Sequence, residues 1–199
     1  MAFRREYLDA LELLGEASEK LAKQGLSPPI IVGGAAVEYY TGAAIMTGDF
    51  DIVCAADQSL KDILVGLGFR EENRQGHLLR GLYHPDLLMA VEIVSGALFD
   101  GRADRDRLAV IRLEHGREVL IASIEDMIAD RMGQYASSPR GAFDMLKQAM
   151  ILLQLAENVD EPYLEERILA ETLGQYDLDF LREKTDARSS QAGRPEPLS

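Results

Sequence analysis

Ile31-Val32-Gly33-Gly34-Ala35-Ala36-Val37-Glu38-Tyr39-Tyr40-Thr41-Gly42-Ala43-Ala44-Ile45-Met46-Thr47-Gly48-Asp49-Phe50-Asp51-Ile52-Val53 is the stretch that decides the fold. Ile30-Ile31-Val32 is a short β-branched run and reads as a buried strand. It enters Gly33-Gly34, after which Ala35 to Tyr40 restarts as a helix that Thr41-Gly42 ends. Asp51-Ile52-Val53-Cys54-Ala55 reads as a second strand. Two glycines let the backbone approach a ligand closely, and a helix N-terminus offers N–H groups and a positive dipole end, so the turn is a candidate phosphate cradle. Asp49 and Asp51, two residues apart in extended backbone, point to one face. Like charges that close are costly unless a cation bridges them, and Mg²⁺, a hard ion that accepts phosphate oxygens as further ligands, suits the position. Taken singly, a glycine pair after a strand is also a tight turn, and an Asp-x-Asp also a solvated strand edge.

Working outward, Tyr7, Leu11, Leu14, Ala17 and Leu21 form one apolar stripe, which predicts a helix over 3–24 stopped by Gly25 and Ser27-Pro28-Pro29. Ser59 to Leu67 reads as a helix opened by a serine cap. The middle is strand-rich. His77–Tyr83 and Leu87–Val94 pair around the turn tripeptide His84-Pro85-Asp86, and Leu108–Leu113 pairs with Glu118–Ala122 around His115-Gly116. Residues 95–107 read as a polar loop. From Ser123 the period turns helical, with a Ser-x-x-acid start at Ser123-Ile124-Glu125-Asp126, a helix to about Tyr135, another over Gly141–Ala156, and a third over Asp160–Leu173 with an aspartate cap and Pro162 in its first turn. The expectation is an α/β class with a mixed sheet, organised as a core over 1–122, a helical subdomain over 123–184 and a disordered tail over 185–199.

Composition limits the partners. The chain has 199 residues, 34 Asp and Glu against 21 Lys and Arg, and a net charge of −13. Such an acidic surface repels nucleic acid at long range, so reading of duplex DNA is not expected. Residues 151–184 alone carry nine acids and three bases. No apolar stretch approaches the ~20 residues of a membrane span, and no signal-peptide pattern opens the chain. Cys54 is the one cysteine, which excludes a disulfide framework and a cysteine-rich metal site and suits a reducing, cytoplasmic setting.

A strand, Gly33-Gly34, a helix, and then Thr47-x-Asp49-x-Asp51 opening an apolar strand together resemble the signature of the DNA polymerase beta-like nucleotidyltransferase superfamily. The resemblance is nearest to its minimal bacterial branch, the nucleotidyltransferase-like proteins related to abortive-infection type IV (AbiEii-like) toxins, which also have a threonine before the Asp-x-Asp. It covers residues 30–55 and, more loosely, 120–150. The resemblance implies a triphosphate held at Gly33, Gly34 and Thr47, and catalytic Mg²⁺ on Asp49 and Asp51. It also implies a third carboxylate from a neighbouring strand. Glu92, the lone charge in Leu87–Val94, is the candidate, with Asp86 as substitute in a turn-like position. A charge in that strand needs a partner, either a metal or an arginine. In similar toxin-like proteins a helical Lys faces the nucleotide and a following helix carries an Arg and an Asp. Arg131 stands in place of that Lys, and Arg140 and Asp144 match the second pair. Arg131 and Arg140–Asp144 also read as a solvated helix face.

The function so implied is Mg²⁺-dependent transfer of a nucleotide from a nucleoside triphosphate to RNA, protein or a small molecule, with Glu92 or Asp51 taking the acceptor proton. A toxin with an antitoxin partner is one form of it. The same elements fit a small-molecule, antibiotic-type nucleotidyltransferase, or an inactive binding module on the same fold. His77, His84 and His115 lack metal-ligand spacing, and Cys54 reads as a buried small hydrophobe. Tyr39 and Tyr40 suit core packing or base stacking, and Arg70, Arg74 and Arg80 form the densest basic group of the α/β part.

Overall fold

A computed structural model describes residues 2–71, 81–138 and 142–192, without the side chains of 189–192. The chain packs as two units, Met1–Ser123 and Ile124–Ser199. Among the described residues no helix is long and apolar enough to cross a membrane.

The first unit is built on a seven-stranded mixed sheet. Helix α1 spans Arg5–Lys23, strand β1 Ile30–Val32, helix α2 Gly33–Tyr40, strand β2 Asp49–Val53 and helix α3 Asp57–Gly66. Strands β3 (Arg70–Glu71), β4 (Leu82–His84), β5 (Met89–Ser95), β6 (Ala109–Arg112) and β7 (Glu118–Ile121) follow. The order across the sheet is β3-β4-β5-β2-β1-β7-β6. β2 lies at its centre, antiparallel to β1 and parallel to β5, while β1 runs parallel to β7. The period-two pattern of Asp49-Phe50-Asp51-Ile52 dictates what each face carries. Phe50 and Ile52 are fully buried, and Asp49 and Asp51 are half-buried between them. Tyr7 of α1 stacks on Phe50 at 5.0 Å between ring centroids, and its hydroxyl donates to the Ala35 carbonyl at 2.8 Å. The apolar stripe of α1 (Tyr7, Leu11, Leu14, Ala17, Leu21) is wholly buried, which is why that helix forms where the spacing predicts it.

Several boundaries differ from the sequence reading. β2 begins at Asp49, so both acids lie within the strand. α3 starts at Asp57 without a side-chain cap; Lys61 pairs with Asp57 one turn on, at 2.7 Å, and no Ser59 cap forms. His84 ends β4 and the turn shifts to residues 85–88, where Leu88 takes a left-handed φ of 54°. The expected strand start at His77 lies outside the described residues. The polar loop contains two short 3₁₀ turns, Leu98–Gly101 and Arg105–Arg107.

The second unit is helical: α4 Ile124–Ser137, α5 Phe143–Leu155, α6 Glu161–Glu171 and α7 Leu178–Ala192. Asp160 caps α6, its carboxylate accepting from the Tyr163 N–H at 3.2 Å. α7 continues through residues 185–192, which the sequence reading assigned to a disordered tail. Leu178, Leu181 and Thr185 are buried on one side of it, and this short apolar anchor carries the helix into its polar end. Inside the unit, Asp126 of α4 accepts from Arg167 Nε of α6 at 2.7 Å and from the Tyr163 hydroxyl at 2.9 Å. Arg167 Nη2 also reaches Glu171 at 2.7 Å. The side chains of Asp126 and Arg167 are 1% and 3% exposed, so each depends on the other for its charge. Asp126→Ala, which leaves Arg167 buried beside a lost partner, is expected to lower unfolding free energy by about 3 kcal/mol in urea denaturation. A loss below ~1 kcal/mol would show that water reaches this pair.

Candidate active site

The site begins where β1 ends. Gly33 has φ +62°, in the left-handed region, and opens α2. A Cβ built on Gly33 would stand 1.8 Å from Asp51 Oδ2, and one on Gly34 would stand 2.6 Å from Thr47 Oγ1. Gly33 is therefore required by contact and by backbone shape, and Gly34 by contact. The antiparallel register of β1 and β2 sets Val32 opposite Asp51, which delivers the carboxylate to the turn. The Gly34 N–H donates to Asp51 Oδ2 at 3.4 Å, and the Thr47 hydroxyl donates to Asp49 Oδ1 at 3.0 Å. Gly33, Gly34, Thr47, Asp49 and Asp51 thus form one constellation at the end of the central strand.

Glu92 pairs in register with Asp51 across the parallel β2–β5 ladder, so the two occupy neighbouring positions on one face. Its side chain lies against Gly81, with Oε1 3.6 Å from the position of a Cβ there. Among the described residues no three His, Cys, Asp or Glu side chains converge closely enough to hold a metal ion. The residues at hand fit Mg²⁺ in chemistry, with hard carboxylate oxygens on one face and a hydroxyl fixing one of them. An ion there would take its remaining ligands from phosphate or water, as Mg²⁺ commonly does.

Other expected residues have other partners. Arg131 is buried in the second unit, ion-paired with the adjacent Asp130, and donates to Gln148 Oε1 at 3.4 Å and Met145 Sδ at 3.6 Å. Asp144 is exposed in the first turn of α5, and Asp86 lies in the 85–88 turn. Arg140, Arg74, Arg80 and His77 lie outside the described residues; Arg70 is exposed on β3. Tyr40 donates to the Ala122 carbonyl at 2.6 Å and Tyr39 stacks on Phe3, which makes both part of the packing. His84 meets the Phe69 ring edge-on at 5.1 Å, His115 is exposed, and burial raises the pKa of the Cys54 thiol.

The sequence reading passed over Arg4 and Glu38. Glu38 is fully buried; its Oε2 accepts from the Thr47 N–H at 2.7 Å and from Arg4 Nη2 at 2.9 Å. The available signal was one acid in the otherwise uncharged α2, five residues after Gly33.

No family model matches the chain, and no curated protein matches it. Solved structures do. An antigenic nucleotidyltransferase-like protein from Paracoccidioides brasiliensis aligns over 99% of this chain and 97% of its own, at 16% identity and a TM-score of 0.62. The antibiotic-resistance factor ANT(2'')-Ia aligns in its solution structure over 94% of this chain and 97% of its own, at 16% identity and a TM-score of 0.51. Its crystal structure in complex with adenylyl-2''-tobramycin gives 92%, 98%, 18% and 0.52. The fold is nucleotidyltransferase-like.

Gly25 separates backbone strain from contact, because it too has positive φ (+73°) but nothing within 4 Å of a Cβ. Gly25→Ala should cost about 1–2 kcal/mol for the left-handed backbone alone. Gly33→Ala should cost clearly more in urea denaturation, because Asp51 must move. Equal losses would show that the Gly33–Asp51 contact is not tight.

Proposed function

We propose that the protein is a Mg²⁺-dependent nucleotidyltransferase that moves a nucleotide from a nucleoside triphosphate to a hydroxyl group of a small molecule. The observation that carries this reading is the placement of Asp49 and Asp51 on one face of the central strand, with Asp51 hard against Gly33 and Asp49 joined to Thr47 beside Gly34. Asp49 and Asp51 would hold the ion, which supplies charge neutralisation for the triphosphate and the leaving pyrophosphate. The glycine turn lets the triphosphate lie on the backbone where the first-turn N–H groups of α2 lack intrahelical acceptors. Glu92, beside Asp51 in the sheet but not drawn into a three-carboxylate set, takes the proton from the acceptor hydroxyl. The acceptor oxygen bonds to the α-phosphorus, the bond from that phosphorus to the bridging oxygen breaks, and pyrophosphate departs.

The charge of the chain favours a neutral or cationic acceptor. A net charge of −13 opposes close approach of a polynucleotide and attracts a polyamine or amino sugar. ANT(2'')-Ia, described in complex with adenylyl-2''-tobramycin, has the same fold and supports this choice over RNA or protein.

The test is incubation of the protein and Mg²⁺ with each of the four α-labelled triphosphates and three acceptor sets: hydroxylated amines including aminoglycosides, total RNA, and lysate protein. Label is expected in the small-molecule fraction and absent with Asp51→Asn. Label in RNA or protein would overturn the acceptor class, and nucleotide binding without transfer to any set would leave a binding protein. Mg²⁺ should also raise thermal stability, by roughly 2.7 kcal/mol at a concentration 100 times its Kd. Asp49→Asn should remove that response, and an unchanged response would place the ion elsewhere.

A further inference from the structure

We infer that Arg4 and Glu38 are positioning residues that fix Asp49 through Thr47; the inference rests on the nucleotidyltransferase reading. The chain of contacts is continuous and lies within one unit. Glu38 Oε1 accepts from Arg4 Nε at 3.4 Å and Nη2 at 3.2 Å, and Oε2 accepts from Nη2 at 2.9 Å. The two side chains then grip opposite ends of one residue. Glu38 Oε2 accepts the Thr47 N–H at 2.7 Å, while Arg4 Nη2 donates to the Thr47 carbonyl. With its backbone held at both ends, Thr47 presents its hydroxyl to Asp49 Oδ1 at 3.0 Å and packs it against Gly34.

The cost of this arrangement points to geometry as its purpose. The Glu38 side chain is 0% exposed and that of Arg4 34%, so a carboxylate has been taken fully out of water beneath the α2–β2 connection. A buried ion pair adds little stability compared with apolar residues of similar size. What it adds here is direction, because a planar guanidinium bound side-on to a carboxylate has one orientation. The residue it orients lies two positions before the first acid of the pair, in a segment, 41–48, without regular strand or helix to hold it.

The test compares wild type with Arg4→Lys and with the double variant Arg4→Met/Glu38→Leu, which removes both charges together and so leaves none buried alone. The double variant is expected to fold, to lose about ten- to hundredfold in kcat and in Mg²⁺ affinity, and to keep KM for the triphosphate within about twofold. Arg4→Lys keeps the charge beside Glu38 but cannot serve Glu38 and the Thr47 carbonyl with one fork, so its kcat should fall between the two. A crystal structure of the double variant should show the Thr47 hydroxyl withdrawn from Asp49. Wild-type kcat in the double variant, a changed KM with unchanged kcat, or an intact Thr47–Asp49 hydrogen bond in that crystal would overturn the positioning role. A wild-type protein that neither transfers nucleotide nor binds Mg²⁺ would overturn the nucleotidyltransferase reading instead, and the crystal structure alone then decides whether Arg4 and Glu38 hold Thr47.

Discussion

The contact between Gly33 and the Asp51 carboxylate is the constraint on which the first unit depends. Any side chain at Gly33 would occupy the space of Asp51 Oδ2. The contact exists because β1 and β2 are antiparallel neighbours with Val32 opposite Asp51, and because the chain leaves β1 through a left-handed turn. Both conditions come from the same short segment. The turn that starts α2 is also the surface against which the acid of β2 is pressed. The sheet therefore brings a helix start and a carboxylate pair to one place, although 15 residues lie between Gly33 and Asp49 in sequence.

The two faces of β2 divide the labour. Phe50, stacked under Tyr7, and Ile52 anchor the strand in the core, and burial holds the Tyr7 phenol far above its usual pKa, with Glu38 adding to the effect. Asp49 and Asp51 are then carried on a backbone that cannot rotate without unpacking α1. This is the usual logic of a site on a rigid element: precision comes from the residues behind the functional ones. The second unit shows a different economy. Its buried pair, Asp126 and Arg167, joins α4 to α6, with Glu171 of α6 as a second partner for the guanidinium.

Much of this was legible in the sequence because the signals were local. The alternation Asp49-Phe50-Asp51-Ile52 gave the facing of β2, the stripe from Tyr7 to Leu21 gave α1, and the glycine pair gave the turn. Glu92 was legible as the odd acid of an apolar strand and lies in register with Asp51, but no three acids converge among the described residues. What was not legible depends on pairing over distance. Arg4 and Glu38 are 34 residues apart, and Thr47 a further 9 from Glu38, so no window of sequence shows that they meet. The resemblance implied a nucleotide-facing role for Arg131; its partners here are Asp130, Met145 and Gln148, fixed by helix packing that periodicity does not specify. The ordered length of α7 was missed for the converse reason. Three buried positions, Leu178, Leu181 and Thr185, hold a helix whose remaining composition is that of a solvated tail.

The central claim is that the carboxylates of β2 and the glycine turn form one metal–triphosphate site. The most direct measurement is the anomalous diffraction of crystals grown with Mn²⁺, which substitutes for Mg²⁺ and scatters anomalously, and a non-hydrolysable triphosphate. An anomalous peak ligated by Asp49 and Asp51 is expected, with the triphosphate lying across Gly33-Gly34. A peak elsewhere on the chain, or a triphosphate bound away from the turn with no ion between the two acids, would contradict it.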